Sequence, residues 1–214
     1  MDKINKAKEN FFKGVKYFQE NNFIKAEFYF EETLKDAPTS SPTLENLAKT
    51  YIQNKKFDEA QQKLEYFISL NKKDDAIAYT LLFDIYSKKS LNKKLDELIK
   101  KAFNSKKLSD ELKIKKIFFY PYFFRSLEEI KIIRDKFKNE IDYNINNENL
   151  PKLNLSEKIL TPPNFALSYD GCDNLVLNKK LINFYKNIYP ELKNKFEISE
   201  IKNEKIKIGF ISDF

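Results

Sequence analysis

Apolar side chains recur at three- and four-residue intervals from Phe11 to about Ile141, the rhythm of helices that bury one face. Phe11, Gly14, Tyr17 and Phe18 form one stripe, which Asn21-Asn22 interrupts. Phe23, Ala26, Phe30 and Leu34 form the next, closed by Pro38. Ser41-Pro42 supplies an N-cap and a first-turn proline for a stripe of Leu44, Leu47, Ala48 and Tyr51. Asn54-Lys55-Lys56 then gives way to Phe57, Ala60, Leu64 and Phe67. A degenerate third pair runs from Ala76 to about Leu108 through Leu82, Tyr86, Leu95, Ile99 and Ala102. Phe83 and Leu95 replace small residues there, an exchange that should push its two helices apart.

The later chain is less regular. Ser109-Asp110-Glu111 caps a short helix, and Ser126-Leu127-Glu128-Glu129 is a capping box opening a helix to about Ile141. Residues 144–161 are polar, Asn-rich and broken by Pro151, and read as a linker. A further helix is expected from about Asn178 to Tyr189, stopped by Pro190. Lys205 to Ser212 alternates and then turns apolar, the pattern of a strand.

Tyr17 and Tyr51, Phe23 and Phe57, and Ala26 and Ala60 are each 34 residues apart. That period is the one of the tetratricopeptide helix–turn–helix unit, which must stack on its neighbours and thereby forms a protein-binding groove. The predicted fold is all-α, a solenoid of helical hairpins over 1–108. Additional helices follow over 109–146, then a connector with one helix over 147–204. A lone strand at 205–214 would leave its backbone groups unpaired, so it reads as the first strand of an α/β domain outside the chain.

Composition narrows the chemistry. The chain holds no histidine and a single cysteine, Cys172, which removes the commonest general base and any internal disulfide. A reducing, cytoplasmic location fits, and no signal peptide or membrane span is legible. The net charge is +7, yet Arg125 and Arg134 are the only arginines. Phosphate recognition favours the arginine fork, and the lysines read as scattered among acids, so neither nucleic acid nor membrane is expected as a partner.

The tail Lys207-Ile208-Gly209-Phe210-Ile211-Ser212-Asp213-Phe214 resembles the opening of the catalytic half of O-GlcNAc-transferase-like proteins of the SPINDLY type. Two upstream stretches resemble the connecting region of that family. One is the apolar-Pro-Tyr run into Ser126-Leu127-Glu128-Glu129-Ile130 with Arg134 and Phe137. The other is Asn164-Phe165-Ala166-Leu167-Ser168-Tyr169-Asp170-Gly171, with Asp173-Asn174 and the helix ending Tyr189-Pro190. The resemblance implies the repeat and connector portion of a GT-B-type glycosyltransferase. That portion would present a protein acceptor to a catalytic domain beyond Phe214, and a nucleotide sugar would serve the longer parent. The family's histidine after the Ser-acid-aromatic turn has no counterpart here, so no catalytic role carries over. The rival expectation is a stand-alone repeat adaptor without enzymatic activity.

The family often lines its groove with an asparagine ladder. The corresponding positions here are Phe12, Asn46 and Leu81, so Asn46 alone matches. Asn46, Lys49 and Gln53 are the candidate groove contacts for a protein or peptide acceptor. The aromatic cluster of Phe11, Tyr17, Phe18, Phe23, Phe28 and Phe30 reads as repeat packing, and Cys172 as an inert loop thiol. Asp170 and Asp173 lack a third oxygen-rich partner, so no metal site is expected.

Overall fold

The computed structural model describes residues 3–70, 76–121, 123–154 and 165–193. Among these residues there are nine α-helices, two short 3-10 turns and no strand. Six helices form three hairpins: α1 (Lys3–Gln19) with α2 (Phe23–Asp36), α3 (Ser41–Gln53) with α4 (Phe57–Ser69), and α5 (Ala76–Lys88) with α6 (Asn92–Asn104). They are followed by α7 (Asp110–Phe118), α8 (Leu127–Asn144) and α9 (Leu175–Ile188). The strand expected at 205–214 lies outside the described residues.

The three hairpin turns share one backbone solution. Asn21, Lys55 and Ser90 take left-handed conformations with φ of 57°, 60° and 54°. The next amide reaches back in each case: Asn22 N donates to Tyr17 O, Lys56 N to Tyr51 O, and Leu91 N to Tyr86 O, at 2.8, 2.8 and 2.9 Å. This is a Schellman-type ending, which satisfies carbonyls the helix would otherwise leave orphaned. Ser90 continues the spacing of Asn21 and Lys55, so the third hairpin turns as the first two do despite its altered stripe. The backbones of α5 and α6 nonetheless approach less closely than those of the first two hairpins, in line with the bulk of Phe83 and Leu95.

Gly14 shows what the small positions are for. A Cβ added there would stand 2.6 Å from Cε1 of Phe30, a side chain with no exposure. Helix α2 therefore crosses α1 in direct contact with backbone, and only glycine leaves room for the ring.

Two cores result. The first runs from Ala26 and Phe30 through Leu64, Tyr79 and Leu82 to Leu112. The second gathers Ile114, Phe118, Tyr120, Phe137, Ile141, Phe184 and Ile188. Helix α7 belongs to both, with Leu112 in the first and Ile114 two residues later in the second. Its N-cap is Ser109, whose hydroxyl accepts from Leu112 N as expected.

Several boundaries differ from expectation. Helix α8 runs to Asn144, three residues beyond Ile141. Ser126 accepts from Glu129 N at 3.1 Å, but the Glu129 carboxylate accepts from Arg125 N, one residue before the amide a capping box would use. Helix α9 opens at Leu175 because Asp173 Oδ1 accepts from Leu175 N at 2.9 Å and starts the first turn early. The segment read as linker is partly structural. Leu150 is buried in the second core, and Leu153 N donates to Ile188 O at 2.8 Å. That core runs across the boundary expected near 146.

Candidate functional site

Helix α1 packs against α3, and α5 against α7. An open cleft of about 510 Å³ lies between α1, the end of α2 and the start of α3. Ile4, Ala7, Phe11, Phe12 and Pro42 give it an apolar lining, and Lys8 and Asp36 also border it. Phe12 is 67% exposed and Ile4 62% exposed, and both border the same cleft. The turn of α1 behind them is held by the Phe11–Phe30 contact, with ring centroids 6.0 Å apart.

The opposite side of α1 is polar. Asn10 and Lys13 stand one period before the buried Leu44 and Leu47, and Glu9 and Lys16 before the buried Thr43 and Thr50. Lys13 pairs with Glu9 at 2.6 Å across this surface. The apolar residues of α1 are thus concentrated on the packed and cleft-facing sides.

Asn46, Lys49 and Gln53 fall at helical spacing along one side of α3. Asn46 Nδ2 donates to Pro42 O at 2.8 Å, and Lys49 pairs with Glu45 at 2.5 Å. Gln53 is exposed on the last turn. These three candidate contacts share one side of α3, and the cleft one turn away was not foreseen from the amino-acid sequence. The available signal was Phe12, an aromatic side chain at the position where Asn46 stands one repeat later.

Repeat-to-repeat seams are polar and periodic. Tyr51 Oη donates to Glu31 at 2.6 Å, and Tyr86 Oη donates to Glu65 at 2.7 Å, each reaching back to the preceding hairpin. Burial, reinforced by the neighbouring carboxylate, pushes both phenols well above their usual range. Burial alone would raise the Glu65 carboxyl, but bonds from Tyr86, Gln61 and Lys94 outweigh it and hold it below its ordinary value. The turns add to the seams: Lys56 pairs with Glu27 at 2.5 Å, Asn54 also reaches Glu27, and Lys89 pairs with Asp58.

A different polar centre joins α8 to the loop before α9. Arg134 Nη1 donates to Asp170 Oδ2 at 2.5 Å and to Asn174 Oδ1 at 2.6 Å, and Nη2 donates to Asp173 O at 2.6 Å. Tyr120 Oη donates to the same Asp170 oxygen at 2.8 Å, and Cys172 N donates to the other at 2.9 Å. The Asp170 side chain is fully buried. Burial would raise its carboxyl, but the Cys172 amide, the Tyr120 hydroxyl and Arg134 outweigh that and hold it below the usual value. Each oxygen is already engaged, so Asp170 serves as a structural anchor. Cys172 is exposed. Among the described residues no group of acidic or thiol side chains is placed to hold a metal. Nor is any described helix long and apolar enough to cross a membrane.

Comparison with known proteins agrees with the repeat geometry. Residues 17–82 match the tetratricopeptide repeat family. No curated protein and no solved structure matches the chain. The chain therefore contains tetratricopeptide repeats, a class of protein-interaction module. The third turn at Ser90 extends the pattern past the matched residues.

Proposed function

We propose that this chain is a protein-binding scaffold that seats a bulky apolar side chain of its partner between Ile4, Phe11 and Phe12. The observation that carries this reading is the apolar cleft of about 510 Å³ flanked by an exposed Phe12. Asn46, Lys49 and Gln53 would meet the same segment as it continues along α3. Random peptides displayed on phage and selected on the immobilised chain test this. The expected outcome is enrichment of sequences with one large apolar residue. Their affinity should fall more than tenfold in Phe12→Asp, about 1.4 kcal/mol, and stay unchanged in Phe28→Asp on α2. Equal binding by both variants would remove the cleft from the reading.

A second reading is that the scaffold is the repeat and connector portion of a sugar-nucleotide-dependent protein O-glycosyltransferase. Supporting it, Arg134 and Asp170 come from the two separate stretches that resemble that family's connector, and they bond to each other. In this reading the nucleotide sugar and the catalytic groups belong to a longer parent, and residues 1–214 alone are inactive. Reading the gene past the Phe214 codon discriminates. A histidine-containing α/β segment whose product transfers label from a UDP-sugar supports the enzyme, and unrelated sequence supports a plain adaptor.

A further inference from the structure

The three second helices of the hairpins differ in sign. Helix α2 carries Glu27, Glu31, Glu32 and Asp36 against two lysines, and α4 carries Asp58, Glu59 and Glu65 against one. Helix α6 reverses this with Lys93, Lys94, Lys100 and Lys101 against Asp96 and Glu97. Residues 88–116 hold eleven lysines and four carboxylates, a surplus equal to the +7 of the whole chain. Lysines are densest here; Lys89, Lys94, Lys113, Lys115 and Lys116 pair with carboxylates, and Lys93, Lys100, Lys101 and Lys106 are exposed.

The reversal falls at a seam position. Lys100 lies 35 residues after Glu65, which itself follows Glu31 by 34. Those two glutamates receive tyrosine hydroxyls from the next hairpin. Tyr120 stands 34 residues after Tyr86, but its hydroxyl goes to Asp170. Lys93 and Lys100, seven residues apart, share one line of α6. Both are exposed, as are Lys101 and Lys106, and Phe103 beside them is 69% exposed. The carboxylates nearest in sequence on α7 pair elsewhere, Asp110 with Lys113 and Glu111 with Lys115.

We propose that the exposed face of α6 docks an acidic segment of a partner protein, with Lys93 and Lys100 at its centre and Phe103 as its apolar contact. Carboxylates are the complement of this face. It carries no arginine fork for phosphates. A membrane is disfavoured because the apolar side of α6, with Leu95, Leu98 and Ala102, is buried against the array. The surface is separate from the cleft, so the inference does not depend on the groove reading.

The test is fluorescence anisotropy of the full chain with labelled poly-glutamate, a DNA duplex and phosphatidylserine vesicles as probes. Poly-glutamate should bind in low salt and weaken at least tenfold at high salt. The Lys93→Glu/Lys100→Glu variant should lose at least tenfold more, with its helical circular dichroism intact. Lys35→Glu/Lys25→Glu on α2 makes the same charge change elsewhere and should lose less than threefold. Equal losses in the two double variants, no binding of poly-glutamate, or tighter binding of DNA or vesicles would each overturn the proposal. Should the α6 variant fail to fold, Lys100→Gln with Lys93→Gln repeats the measurement without adding charge.

Discussion

Tyr51, Tyr86 and Tyr120 stand at nearly one period, yet they anchor two different kinds of structure. In the repeat array, Tyr51 and Tyr86 reach back 20 and 21 residues to glutamates on the preceding hairpin. In the second core, Tyr120 reaches forward 50 residues to Asp170. The array repeats one local bargain, in which a phenol meets a partly solvated carboxylate and each seam resembles the last. The second core uses a single buried carboxylate, with Arg134, Tyr120 and the Cys172 amide all converging on it. A periodic protein can distribute a loss over its seams; a core built on one anion cannot.

That contrast is most sharply broken at Asp170. Asp170→Ala strands Arg134, whose side chain is 18% exposed, and should cost about 3 kcal/mol, the low end for breaking a buried pair. Hydrogen exchange should quicken in α8 and α9 while α3 and α4 stay protected. Equal acceleration in all four would mean that the two cores open as one unit. Acid offers a reversible version. Because the folded Asp170 carboxyl is held below its ordinary value, its stabilisation is complete above about pH 4 and fades as pH falls through the lower folded value. The second core should loosen in that acid window, and Asp170→Asn should flatten this part of the pH dependence.

A smaller effect is expected inside the array. Gly14→Ala gains helix propensity of up to about 1 kcal/mol but drives a methyl into Phe30, at a cost of about 2 kcal/mol. The net loss of about 1 kcal/mol should be visible in urea unfolding. Gly14→Ala/Phe30→Leu should recover part of it. The seams should show losses of similar size: Tyr51→Phe and Tyr86→Phe should each cost about 1 kcal/mol. Clearly unequal losses would show that the two seams are not equivalent.

Legibility in the amino-acid sequence follows the same division. The hairpins could be read because their information is local: Gly14, Ala26 and the Asn21 and Lys55 turns each act within one hairpin, and Pro38 separates the first two. The role of Tyr120 was not legible because Pro121 follows it and its partner Asp170 lies 50 residues further on. The Arg134–Asp170 pair spans 36 residues with no periodicity linking its ends, so only resemblance flagged both stretches. The cleft escaped because exposure of Phe12 depends on how α1 meets α3. The early start of α9 escaped because Asn174 spends its side chain on Arg134 and Leu167 while Asp173 caps the turn.

Helix α7 has a mechanical consequence. Its nine residues give Leu112 to one interior and Ile114, Ile117 and Phe118 to the other, while Lys115 clasps Asp84 on α5 at 2.6 Å. A rod held on both flanks cannot swivel freely, so a twist applied to the third hairpin is delivered as torque to α8 and α9. Under tension between the two ends, rupture should begin by tearing this shared rod from one side, not by paying out a slack tether.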